Sequence, residues 1–132
     1  MNDGMFFGIR KVLVIDDSAI ILRSVKNQLQ DQYDVSIATS GEMGIEKAIA
    51  EKPDIILLDY EMPGMNGNAT FERLRQEEAT KDIPVIFLTG VSDGERVGKV
   101  LEKHPAGYIL KPLDVKKVRE RIGEVLRAKQ LG

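Results

Sequence analysis

The chain has 132 residues, 42% of them hydrophobic and 30% charged, with no cysteine, no tryptophan and one histidine. That length fits a single domain that buries its own core without staples. The absence of cysteine excludes disulfides, thiolate nucleophiles and cysteine metal sites, and a lone His104 excludes multi-histidine metal sites and any Ser-His-Asp triad built elsewhere. The formal net charge of -2 is unevenly spread: residues 1–92 hold 9 Lys/Arg against 15 Asp/Glu, and residues 93–132 hold 10 against 6.

In chain order, residues 1–9 read as an extension. Val12-Leu13-Val14-Ile15 is apolar without alternation, which predicts a strand buried on both faces. Ile21, Val25 and Leu29 recur at helical spacing, and Asp16 or Asp17 stands where it can cap that helix. Val35-Ser36-Ile37-Ala38 alternates, which predicts an edge strand. Ile45, Ala48 and Ile49 form a second helical stripe, followed by Pro53. Ile55-Ile56-Leu57-Leu58 reads as a second buried strand, Phe71 and Leu74 as a third helix, and Val85-Ile86-Phe87-Leu88, opened by Pro84, as a third buried strand. Val97, Val100 and Leu101 make a fourth stripe closed by His104-Pro105, where a cation suits the helix dipole. Tyr108-Ile109-Leu110 reads as a fourth buried strand, and Val115, Val118, Ile122 and Val125 as a last helix starting at or just before Asp114. Residues 129–132 are a tail. Strand and helix thus alternate five times. The expected fold is α/β: a doubly wound five-stranded parallel sheet with five helices, over residues 10–128.

Sites in such sheets form at the carboxyl ends of the strands, near the point where strand order reverses. Four strand ends here carry polar groups: Asp16-Asp17, Asp59, Thr89 and Lys111-Pro112. If the three carboxylates converge, each pair at ~4 Å costs on the order of 4 kcal/mol at an effective dielectric near 20. Either some stay protonated or a cation sits among them. Oxygen-only ligands favour a hard ion, Mg2+ or Mn2+. A metal, a lysine and a hydroxyl beside a carboxylate make a phosphoryl site, with the carboxylate as nucleophile.

The set Asp16-Asp17, Asp59, Thr89 and Lys111-Pro112, with the strings VLVIDDS, IILLDYEMPGMNG, PVIFLTG and GYILKP, resembles the receiver domain of two-component response regulators. The resemblance covers residues 10–128 and implies the flavodoxin-like receiver topology. It implies Asp59 as the phosphoacceptor, fed by a histidine kinase or phosphotransfer protein. It implies Mg2+ on Asp16, Asp17, Asp59 and the backbone carbonyl of Glu61, with Mn2+ as a substitute. It further implies Lys111 and Thr89 as phosphoryl-binding groups, Thr89 and Tyr108 as the switch pair, and a cis peptide before Pro112. Only the carbonyl of Glu61 is needed, so its side chain is open either to do nothing to the metal or to touch the metal shell and modify dephosphorylation. Met62-Pro63-Gly64 and Gly67 read as a loop whose glycines allow backbone turns with positive φ. Val91 is apolar where some relatives are polar, an arrangement expected to hinder an attacking water and lengthen the phosphorylated state.

Receivers commonly use the fourth helix, fifth strand and last helix to dimerise or to grip an effector. Here that region, 93–128, is the basic part, with Arg96, Lys99, Lys103, Lys117 and Arg121 as candidate contacts; solvated helix faces would give the same pattern. No direct nucleic-acid contact is expected. No apolar run approaches the ~20 residues of a membrane span, and the first residues lack a signal-peptide core, so no membrane contact and a cytoplasmic location are expected. As a receiver the domain is a phosphoacceptor rather than an enzyme, assisting its own phosphotransfer and autodephosphorylation, and standing alone or cut from a longer regulator. The rival readings are a pseudo-receiver acting without phosphorylation, an aspartyl-nucleophile phosphatase and a flavodoxin. The first would lack Asp17, Asp59 or Lys111. The second needs an Asp two residues past the nucleophile, where this chain has Glu61. The third needs a Ser/Thr-rich first loop and more aromatics.

Overall fold

The computed structural model describes residues 9–90 and 94–131, without the side chains of 94–96, 130 and 131. Residues 1–8, most of the expected extension, lie outside the described residues, as does Val91.

The strands are β1 (Lys11–Ile15), β2 (Asp34–Ala38), β3 (Ile55–Asp59), β4 (Val85–Thr89) and β5 (Gly107–Leu110). They form one parallel sheet in the order β2-β1-β3-β4-β5. The helices are α1 (Ala19–Leu29), α2 (Gly41–Glu51), α3 (Gly67–Gln76), α4 (Gly94–Leu101) and α5 (Val115–Leu131). The expected doubly wound architecture is therefore the one observed. The chain leaves β1 toward β2 on one side and returns to place β3 on the other, so strand order reverses between β1 and β3.

Every residue of β3 and β4 is buried, because helices cover both faces of the sheet. Val12, Val14, Ile55, Leu57, Ile86 and Leu88 pack on one face against Leu22, Val25 and Leu29 of α1 and Val118, Ile122 and Leu126 of α5. Leu13, Ile15, Ile56, Leu58, Val85 and Phe87 pack on the other against Ile45 and Ala48 of α2, Phe71 and Leu74 of α3, and Val100 of α4. The period-2 alternation of a strand sorts adjacent side chains to opposite layers. Each fully buried aliphatic side chain contributes roughly 1.5–3 kcal/mol of transfer free energy.

Several expectations need correction. β5 is the second edge of the sheet, not a strand buried on both faces; Tyr108 is half-buried and Leu110 exposed. The buried stripe of α1 runs through Leu22, with Ile21 only half-buried, and Ile49 and Leu101 are exposed. Neither Asp16 nor Asp17 caps α1: Ser18 does, its hydroxyl accepting the Ile21 N–H at 3.3 Å. That leaves both carboxylates to other partners. Gly64 has the expected positive φ, 71°, whereas Gly67 opens α3 and is required by space. A Cβ there would lie 2.4 Å from the Asp59 carbonyl oxygen and 2.6 Å from Tyr60 Cα. The close approach folds the 60–66 loop tightly onto the end of β3. His104 lies three residues beyond α4, with φ 54° and its N–H donating to the Leu101 carbonyl at 3.0 Å.

Gly44 and Gly98 both stand inside helices, and their surroundings differ. A Cβ at Gly44 would lie 2.4 Å from Cδ1 and 2.7 Å from Cγ1 of the fully buried Ile15; at Gly98 it would meet nothing within 4 Å among the described residues. Gly98→Ala is therefore expected to stabilise by about 0.5–1 kcal/mol through helix propensity. Gly44→Ala is expected to cost about 1–3 kcal/mol by overpacking. Urea unfolding midpoints check both, and the opposite order would contradict the seating of α2 on β1.

Candidate functional site

The site is assembled by backbone pairing at the carboxyl edge of the sheet. Asp16 follows β1, its N–H donating to the Ala38 carbonyl at 3.1 Å. Asp59 ends β3, and Thr89 ends the neighbouring β4. Lys111 follows β5, and its N–H donates to the Thr89 carbonyl at 2.8 Å. The parallel ladder thus carries four distant sequence positions to one edge, at the reversal of strand order.

Asp16, Asp59 and Thr89 are essentially inaccessible, at 0%, 1% and 0% exposure, while Asp17 is exposed. The Lys111 ammonium lies 3.1 Å from Asp16 Oδ2 and 3.1 Å from Asp59 Oδ1. Asp59 Oδ1 also accepts the Glu61 N–H at 3.1 Å, and Asp16 Oδ1 accepts the Ser18 N–H at 2.9 Å. Burial, and then the charge of Asp16, push the Asp59 carboxyl from 3.8 up to about 6; Lys111 and the Glu61 N–H pull the other way without prevailing. Burial also works against the charge on Lys111. The charges of Asp16 and Asp59, with the hydrogen bond to Asp59, outweigh it and hold the ammonium above its ordinary value.

One carboxylate oxygen each from Asp16, Asp17 and Asp59 lies within 4.8 Å of the other two. Asp16 Oδ2 is fully buried, and its contact with Lys111 is a charge contact without the angle of a hydrogen bond. A buried carboxylate oxygen with no donor, among donors that are all oxygen, fits a hard divalent cation.

Sequence reasoning did not find the contact made by the Glu61 side chain. Its Oε2 accepts the Thr89 hydroxyl at 3.0 Å and its Oε1 accepts the Gly90 N–H at 3.1 Å. No local pattern announces this, because it spans 28 residues of sequence. Tyr108, paired in register with Phe87, packs half-buried on the α2–α4 side of the sheet. The Lys111–Pro112 bond is cis. Lys99, Lys103, Lys117 and Arg121 are exposed, and Lys103 lies 3.9 Å from Glu72; the Arg96 side chain is outside the described residues.

The family model described as the response regulator receiver domain matches residues 12–123. The chain belongs to the response regulator receiver family. It is 34% identical over 118 residues to the response regulator ArlR of Staphylococcus saprophyticus, covering 89% of this chain and 52% of that protein. It is 33% identical over 121 residues to the response regulator PleD of Caulobacter vibrioides, covering 90% of this chain and 26% of that protein. The receiver thus spans about half, or less, of the length of these relatives. Its fold matches the Vibrio cholerae chemotaxis protein CheY4 with a TM-score of 0.84 and 28% identity, over 89% of this chain and 99% of that one. A CheY-like receiver from Methanospirillum hungatei matches with a TM-score of 0.85 and 28% identity, over 95% and 100%. Receiver domains generally bind Mg2+ at an acidic pocket, and in this receiver the aspartate cluster stands at that edge.

The raised Asp59 value predicts a pH-dependent gain on its neutralisation. Between about 4 and 6 the folded receiver holds a proton on Asp59 that the unfolded chain has released, so its stability falls as pH rises through that window. In chelator-treated protein, Asp59→Asn is expected to stabilise by about 1–3 kcal/mol at pH 8. The gain should shrink from pH 6 downward and vanish below about 4. Urea titrations across that range check this; an unchanging gain would contradict a raised carboxyl.

Proposed function

We propose that this receiver domain of two-component signalling accepts a phosphoryl group on Asp59 from a histidine kinase or phosphotransfer protein, and that the new anion reshapes a partner-binding surface. The observation that carries the reading is the pair of buried carboxylates bridged by Lys111, with the Thr89 hydroxyl at the adjoining strand end.

Asp16, Asp17, Asp59 and the backbone carbonyl of Glu61 would hold Mg2+, or Mn2+ in its place. When bound, the metal supplies charge neutralisation at the phosphoryl oxygens. The protein's own contribution begins with Asp59. Its carboxylate attacks phosphorus, an O–P bond forms, and the P–N bond to the donor's histidine breaks, leaving its electron pair on the imidazole nitrogen. Lys111 stands against Asp59 Oδ1 and pairs with the arriving charge. The same arrangement assists hydrolysis of the acyl phosphate, so the domain takes part in its own phosphorylation and dephosphorylation.

Phosphorylation adds about -1.5 to -2 charge at Asp59. Thr89 turns its hydroxyl to the new oxygens, and Tyr108, one strand away on β5, moves into the space released. Both residues lie against the surface of α4, β5 and α5, where Lys99, Lys117 and Arg121 are exposed. An open groove of about 550 Å³ there is lined by Tyr108, Lys111, Asp114, Lys117, Glu120 and Arg121. We assign this face to an effector or a second receiver rather than to nucleic acid. Among the described residues no helix is long and apolar enough to cross a membrane, and we place the domain's work in the cytoplasm.

Incubation with acetyl phosphate and Mg2+ is expected to add one phosphoryl mass to the protein, and the gain should be absent in Asp59→Asn and after chelation. An unmodified parent protein, with no binding of beryllofluoride either, would overturn the reading. Thr89→Ala is expected to keep the mass gain while losing most of the amide shift changes at residues 97–122 that phosphorylation produces in the parent. Undiminished shifts would remove Thr89 from the switch.

A further inference from the structure

The Glu61 carboxylate is an acidic group at the site for which the phosphoacceptor reading has no use, since that reading asks only for its backbone carbonyl. Its position is nevertheless specific. One oxygen takes the Thr89 hydroxyl at 3.0 Å and the other takes the Gly90 N–H at 3.1 Å. The backbone holds it in reach: the Glu61 N–H is anchored on Asp59 Oδ1 at 3.1 Å, and the Tyr60 N–H donates to the Leu88 carbonyl at 2.9 Å.

Those two donors stand at the end of β4, immediately beside the end of β3 that carries Asp59. An aspartyl phosphate brings three strong acceptor oxygens and needs donors of this kind. A carboxylate oxygen and a phosphoryl oxygen cannot both take the same N–H in good geometry. We propose that Glu61 is an internal competitor: its carboxylate occupies the Thr89 hydroxyl and the Gly90 N–H in the unphosphorylated chain, and it leaves them when a phosphoryl group arrives on Asp59. This rests on the phosphoacceptor reading above.

The surroundings suit a group that comes and goes. Glu61 is exposed, so two hydrogen bonds hold its carboxylate rather than packing. Among the described residues other than its chain neighbours, a Cβ built at Gly90 would meet Glu61 Oε1 alone within 4 Å, at 3.9 Å, which is ordinary contact. Occupation of Thr89 by Glu61 ties the resting position of the proposed switch hydroxyl to the state of the site.

The test compares the parent, Glu61→Gln and Glu61→Ala in three measurements: Mg2+ affinity, beryllofluoride affinity at saturating Mg2+, and hydrogen exchange of the Gly90 amide in the free protein. Loss of two hydrogen bonds from an exposed charged group is expected to tighten beryllofluoride about tenfold in Glu61→Ala. A smaller gain is expected in Glu61→Gln, which retains one acceptor oxygen. Gly90 exchange should quicken in Glu61→Ala, because its acceptor is gone. Unchanged beryllofluoride affinity in both variants would overturn the proposal. So would a fall in beryllofluoride affinity that tracks a fall in Mg2+ affinity, since the carboxylate would then serve the metal. Tighter binding without faster Gly90 exchange would mark a through-space charge effect and would equally overturn it. A parent that binds no beryllofluoride at all would reject the phosphoacceptor reading itself, whatever the variants do.

Discussion

The structure turns on one ammonium placed between two buried carboxylates. Asp16 and Asp59 lose almost all contact with solvent, and Lys111 sits 3.1 Å from an oxygen of each. Like charges at such range in a poorly polarisable interior repel strongly. Burial first, and then the charge of Asp16, raise the Asp59 carboxyl to about 6, and a single cation compensates only in part. The residual frustration has chemical use. A site holding more negative charge than its own cation can neutralise is ready for a divalent ion, and Asp16 Oδ2 lacks a hydrogen-bond donor.

The fold exists in a form that can hold this strain. Ladder hydrogen bonds tie each strand end to its neighbour, so the charged groups cannot drift apart to relax the repulsion. Two apolar layers clamp the sheet beneath them, and alternate residues of β1, β3 and β4 go to opposite layers. The close seating of Gly67 against the Asp59 carbonyl pins the following loop. That loop delivers Glu61 to the end of β4. The site therefore carries two opposed devices: a lysine that gathers the carboxylates, and a glutamate that covers the neighbouring donors.

Much of this was legible in the sequence. Unbroken apolar runs mark β1, β3 and β4, since a strand covered on both faces has no reason to alternate. The polar residue that ends each run marks the functional edge. The same logic misread β5: Tyr108-Ile109-Leu110 is apolar, yet it lies at an edge with Leu110 exposed, and a run of three cannot report what covers it. Ser18 displaced the aspartates as the cap of α1 because its hydroxyl reaches the Ile21 N–H, a choice of geometry among three adjacent polar residues. The position of α1 on the sheet likewise decided for Leu22 over Ile21.

The sequence by itself determined the alternation of strand and helix, the parallel sheet, and the list of residues able to carry charge at its edge. These depend on local periodicity and on the residue that follows each apolar run. Tertiary structure decided which of those residues meet. It buried Asp16 and Asp59 but left Asp17 in solvent, brought Lys111 to both, and sent the Glu61 carboxylate to Thr89 and Gly90. Such pairings depend on strand order and on where a loop folds back. A contact between residues 28 positions apart has no local signature, because its energy is defined only once the sheet has set the distance between them.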